Sequence, residues 1–167
     1  MTDSLRQRMQ WQTELGQILD GDRRYLMMRS DVLMGAFRGL PAPYQLEALQ
    51  ALQQSVRIHG GKSAKAYFAS LNNDADRLLD TMARYSAQLG WGVWTLQKQT
   101  GALAVQVDNS PFAAGFGHCT HPVCHPIVGM LETVGELVLG DAVQVRETQC
   151  AAQGHPHCLF SAVRNSP

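Results

Sequence analysis

The first 118 residues contain no cysteine, and all four cysteines, Cys119, Cys124, Cys150 and Cys158, fall in the tail. No apolar run approaches the roughly 18 residues that suggest a membrane span. The opening MTDSLRQRMQWQTELGQ has no apolar core of the kind that secretory signals carry, so a cytoplasmic location is expected. Charge of neither sign is in excess: 14 Lys plus Arg balance 14 Asp plus Glu, which argues against a nucleic-acid surface. No Cys-x-x-Cys is present, which weakens a redox-pair reading of the cysteines. Gly-x-Gly-x-x-Gly after a strand and Gly-x-x-x-x-Gly-Lys-Ser/Thr are also missing, so neither common phosphate cradle supports a nucleotide cofactor. No nucleophile–base–orienter set stands out. There is no internal repeat or low-complexity tract, and 167 residues suit one domain with a sizeable core.

What is present changes character along the chain. Leu5, Met9, Leu15, Ile18 and Leu19 suggest an amphipathic N-terminal helix within residues 1–20, and Asp20-Gly21-Asp22 a turn. Arg24 to Arg29 reads as a buried strand. A short helix starts at Ser30 or Asp31 and stops at Gly39 and Pro41. Pro43 to Ile58 is expected as a helix that His59-Gly60-Gly61 ends, followed by a turn or two of helix from Ser63 to Ser70. Asp74 to Leu89 carries Leu78, Leu79, Met82, Tyr85 and Leu89 at helical spacing. The period then becomes two: residues 91–96 and 103–107 form a hairpin about Thr100-Gly101. Residues 113–124 read as a Gly-rich loop. Pro126 opens a helix with Ile127, Met130, Leu131, Val134, Leu137 and Val138 on one face, closed by Gly140. A last hairpin pairs residues 142–148 with 157–163. The order predicts an α+β fold, helices packed on an antiparallel sheet, in a single domain.

Five of the six histidines accompany the cysteines: His118, His121, His125, His155 and His157. Thiolate and imidazole are preferred zinc ligands. Cys150 and Cys158 flank a turn between two strands, and a hairpin brings its ends together. Cys124 precedes a helix N-terminus, where thiolate is favoured. Three corners of a tetrahedron follow, with Cys119, His118, His121 or, less readily, Asp108 as the fourth. Unligated core cysteines are the competing reading, since the spacing is not that of a standard zinc finger.

The run CHPIVGMLETVGELVLGDAVQVRETQCAAQGHPHCLFSAV resembles the 4-vinyl reductase (4VR) domain family. The shared elements are Cys124, Gly129, Gly140 to Val143, Glu147 to Cys150, and Gly154 through Cys158 to Phe160. DGDRRYLMMRSDVLM and NSPFA are also similar to family segments. The resemblance implies an α/β plait related to the TRAPP small subunits, a buried apolar pocket of the hydrocarbon-binding and aromatic-sensor type, and a structural zinc in residues 108–164. In the aromatic sensors that zinc is held by three cysteines and a glutamate. The cysteines match Cys124, Cys150 and Cys158. The glutamate is expected before the first cysteine, where residues 109–114 hold none, so Cys119 is preferred as the fourth ligand, with His118 and His121 as alternatives.

The first functional reading is therefore a small-molecule sensor module. Its pocket candidates are Trp91, Trp94, Phe112, Phe116, Tyr85, Met130 and His125, its ligand an apolar, aromatic or tetrapyrrole-like molecule. The alternative is an enzyme or accessory protein of tetrapyrrole vinyl reduction or other redox metabolism, including a haem or other tetrapyrrole held by one of the histidines. The resemblance also implies a homodimer, with Met9, Trp11 and Leu15 against the partner copy. Any signalling would pass through a separate partner protein.

Overall fold

Strict alternation from Val93 onward builds the sheet. The computed structural model describes residues 4–165. Strands β4 (Val93–Gln99), β5 (Ala102–Asp108), β6 (Val143–Gln149) and β7 (Cys158–Arg164) pair antiparallel in the order β4-β5-β7-β6. On β5 the alternate residues Leu103, Val105 and Val107 are buried, and Phe160 and Ala162 of β7 continue the same face. The pairing of β6 with β7 shifts register between Glu147 and Gln149, a bulge just before Cys150.

Helix α7 (His125–Leu139) lies on that face, and helix α3 (Ala42–Ser55) packs on its other side. Two glycines of α7 allow both approaches. A Cβ on Gly129 would stand 2.2 Å from the Gln53 carbonyl oxygen on α3, and one on Gly135 would stand 3.0 Å from Val143 and 3.3 Å from Ala162 on the sheet. Ile127, Leu131, Val134 and Val138 are consequently buried between layers. This is one core, and the fold is α+β as the sequence predicts.

The chain does not stop at His59-Gly60-Gly61. It continues through a π-helical turn, Val56–Gly60, into α4 (Gly61–Ser70). The widened turn keeps the chain helical while shifting the face it presents. Helix α5 (Ala75–Gln88) follows, its N-cap Asp74 accepting from the Arg77 amide.

The N-terminal region departs most from expectation. Only Leu5–Arg8 (α1) is helical there. Gln10–Gln12 (β1), Gln17–Asp20 (β2) and Arg23–Tyr25 (β3) form a small antiparallel sheet, turned at Gly16 and Gly21, both at positive φ. Residues 26–29 are not a buried strand: Leu26 is 78% and Met27 72% exposed. Helix α2 (Ser30–Arg38) starts where expected. A further short helix, α6 (Pro111–Phe116), replaces the first part of the Gly-rich loop. Ser110 caps it by accepting from the Ala113 amide, Pro111 occupies its first turn, and Gly115 lets it close on the Ser30 carbonyl of α2. No helix among the described residues is long and apolar enough to cross a membrane.

Candidate functional site

Four side chains from three elements converge at the start of α7: Cys124, Glu147, Cys150 and Cys158, whose donor atoms all lie within 4.8 Å of one another. Cys124 Sγ is 3.6 Å from Cys158 Sγ and 3.9 Å from Cys150 Sγ, and 3.2 Å from the Ser110 hydroxyl. The Cys124 amide donates to Glu147 Oε2 at 2.9 Å, and the Ala151 amide donates to Cys158 Sγ at 3.3 Å. These three cysteines are fully buried.

The electrostatics are those of a donor cluster crowded together. Close sulfur contacts with Cys150 and Cys158, together with burial, push the Cys124 thiol far up. The bonds Cys158 receives from Cys124 and Cys150 hold it down, to about 4. Burial pushes the Glu147 carboxyl up to about 8. Glu147 Oε1 is buried with no hydrogen-bond partner, which is costly unless something positive sits there. Three sulfurs and one carboxylate oxygen at this spacing fit a tetrahedral divalent ion such as zinc.

The fourth member differs from the expected one. Cys119 lies outside the four-donor group. Its thiol donates to the His121 carbonyl at 3.1 Å, its amide to the Ala152 carbonyl at 2.9 Å, and burial pushes its pKa up. His118 and His121 are also outside the group, as is Asp108, which lies 4.0 Å from His157. A signal for Glu147 was present: continuing the inward alternation of Val143 and Val145 places a carboxylate on the buried face of β6, three residues before Cys150.

The seven pocket candidates separate. Trp91, Tyr85 and Met130 line one cleft of about 420 Å³, with Tyr67, Met82 and His59. Its walls come from α4, α5, α7 and the π turn, and a Cβ on Gly60 would stand 3.0 Å from Met130 Cε. Tyr67 meets Tyr85 edge-on at 5.1 Å. Phe112 lies behind Trp91, edge-on at 5.0 Å, and borders a neighbouring concavity of about 630 Å³ that Trp91 also lines. Trp94 is buried core, its indole N–H spent on the Trp91 carbonyl at 3.0 Å, and Phe116 is core against His121. His125 lines a separate groove, its pKa lowered by burial and then by nearby His121.

An ionic tether fastens the N-terminal sheet beside this cleft. Arg8 makes two bonds to the buried carboxylate of Asp20, at 3.0 and 3.1 Å, and a third to the Tyr85 hydroxyl at 2.8 Å. Its guanidinium also stands 5.2 Å from the Tyr85 ring centre.

Residues 103–164 match the profile of the vinyl-4-reductase domain family, the 4VR family of the tail motif. The fold is similar to the phenol-responsive sensory domain of the transcription activator PoxR, solved with phenol, at TM-score 0.76 and 17% identity over 96% of this chain and 86% of that one. It is similar to a vinyl-4-reductase family protein from Methanocaldococcus jannaschii, at TM-score 0.56 and 15% identity over 85% of this chain and 98% of that one. A subunit 3 of the trafficking protein particle complex from Naegleria fowleri, covalently bound to palmitic acid, matches at TM-score 0.56 and 12% identity over 82% and 95%. No curated protein matches the sequence. The TRAPP-like α+β plait inferred from the tail motif is thus the fold of the molecule.

Proposed function

We propose that the chain is a small-molecule sensor domain whose ligand, an apolar or aromatic molecule, occupies the cleft beside Trp91. The observation that carries this reading is the convergence of Trp91, Tyr85 and Met130 on one concavity walled by a π-helical turn. An apolar cleft with a few hydroxyl and imidazole groups is the usual form of a small-molecule site. Similarity of fold to a domain solved with phenol supports the same class of ligand. The Cys124, Glu147, Cys150, Cys158 cluster would hold zinc as a structural crosslink, tying the start of α7 to the β6–β7 hairpin. Zinc in such a closed site supplies folding energy rather than redox chemistry.

Calorimetric titration of the full chain with phenol, toluene and naphthalene tests the cleft. Trp91→Ala is expected to weaken the best of these at least tenfold, with little loss of fold stability because Trp91 is only half-buried. Equal affinity in Trp91→Ala and in Met130→Trp, which fills the cleft, would overturn the reading. Elemental analysis tests the metal, with one zinc per chain expected. The exposed side chains of Trp11, Leu15, Leu26 and Met27 support a homodimer contact through the N-terminal sheet. Sedimentation at micromolar concentration checks it, with a species of twice the chain mass expected.

A further inference from the structure

A second concavity, of about 560 Å³, shares no lining residue with the Trp91 cleft. Leu46, Pro122, Val128 and Val145 give it apolar walls, and Gln53 and His125 face it from α3 and α7. Its polar atoms are held in one arrangement. Gln53 Nε2 donates to Glu132 Oε1 at 2.8 Å. The Glu132 carboxylate lies 3.8 Å from the Arg57 guanidinium and, ionised, can only accept. The amide nitrogen of Gln53 must therefore face Glu132, which turns Oε1 toward His125. That oxygen is 2.9 Å from His125 Nδ1, so Nδ1 carries the proton. His125 Nε2 is left as a lone-pair acceptor on a ring that lines the groove.

We propose that this groove is a second small-molecule site, taking a neutral molecule with an apolar body and one hydroxyl or N–H donor that bonds His125 Nε2. The oriented acceptor, rather than the volume alone, sets the class. The neighbouring carboxylates of Glu132 and Glu147 disfavour an anion, and Arg146, on the outward phase of β6, is exposed and bonded to Gln144. Before a ligand binds, water satisfies Nε2. A ligand with a donor replaces that bond, whereas one of the same shape without a donor leaves the acceptor bare and binds about tenfold or more weakly.

Fluorine NMR of the full chain tests this with 4-fluorophenol, and with 4-fluoroanisole as the probe lacking a donor. The groove resonance of 4-fluorophenol is expected to persist in Trp91→Ala and to vanish in Leu46→Trp. Leu46 is half exposed, so the larger side chain fills the groove without entering the core. His125→Phe is expected to weaken the groove site at least tenfold, and 4-fluoroanisole to bind it at least tenfold more weakly than 4-fluorophenol. Wild-type binding of 4-fluorophenol in both Leu46→Trp and His125→Phe would overturn the proposal. So would equal affinity for the two probes, or no groove resonance at millimolar phenol. A resonance lost in Trp91→Ala alone belongs to the first cleft. One lost in Leu46→Trp alone leaves the groove standing and counts against that cleft.

Discussion

The C-terminal sheet and the N-terminal sheet are both antiparallel, yet different forces hold them. Strands β4 to β7 run seven residues each, bury one face against α7, and end at a four-donor cluster. Strands β1 to β3 run three or four residues and leave Trp11 and Leu15 in solvent. What ties the N-terminal piece to the rest is the Arg8–Asp20–Tyr85 tether, with Leu5 as its one fully buried apolar anchor among the described residues. Three short strands cannot bury enough surface to be stable alone. One region is thus a core with a crosslink, and the other an attachment.

The largest break in that comparison is expected at the cluster. Cys150→Ser should abolish zinc binding and cost more than about 3 kcal/mol, since loss of a structural metal is among the few single changes with large effects. Removing the metal by chelation should lower the melting temperature by about 10 °C. Urea denaturation of the variant, with its metal content, checks this; unchanged stability would make the cysteines ordinary core thiols.

Next comes Leu131, fully buried at the middle of α7. Leu131→Ala should cost about 2–5 kcal/mol, read by the same denaturation. The position was legible beforehand because α7, α5 and the C-terminal strands obey one period each, and period is what burial on one face imposes. Legibility fails where another term decides. The π turn runs through two glycines that propensity reads as a stop, because close packing on α7 needs small residues there. Ser110-Pro111 signalled α6, but Gly115 and Gly117 masked it; Gly115 serves contact with α2. Cys124, Cys150 and Cys158 were legible as a set. Glu147 was not chosen, since a carboxylate among apolar strand residues has meaning only once its face is known.

A smaller effect is expected at the tether. Arg8→Ala leaves the Asp20 carboxylate buried beside a single more distant cation, Arg23 at 3.9 Å. Loss of the charged bonds should cost about 1–3 kcal/mol. Hydrogen exchange would show the amides of β1 to β3 losing protection while those of β5 and β7 keep it. Equal loss in both sheets would mean that the two regions unfold as one unit, and the distinction between core and attachment would fail.

The smallest effect on stability is expected at Leu26 and Met27. Both are more than 70% exposed, so truncation removes almost no buried surface from the chain. Leu26→Ser with Met27→Ser should change unfolding free energy by no more than about 0.5 kcal/mol, the range of substitutions away from packed features. These side chains nevertheless add to an exposed apolar strip with Trp11 and Leu15, and such strips usually meet a partner. If the strip is the homodimer contact, the double variant should sediment as a monomer at concentrations where the unaltered chain is dimeric, with its melting curve, extrapolated to low concentration, unmoved. A variant that stays dimeric would remove this face from the contact. One that loses several kcal/mol as a monomer would show that residues 26–29 are packed after all, and the N-terminal region would have to be counted with the core.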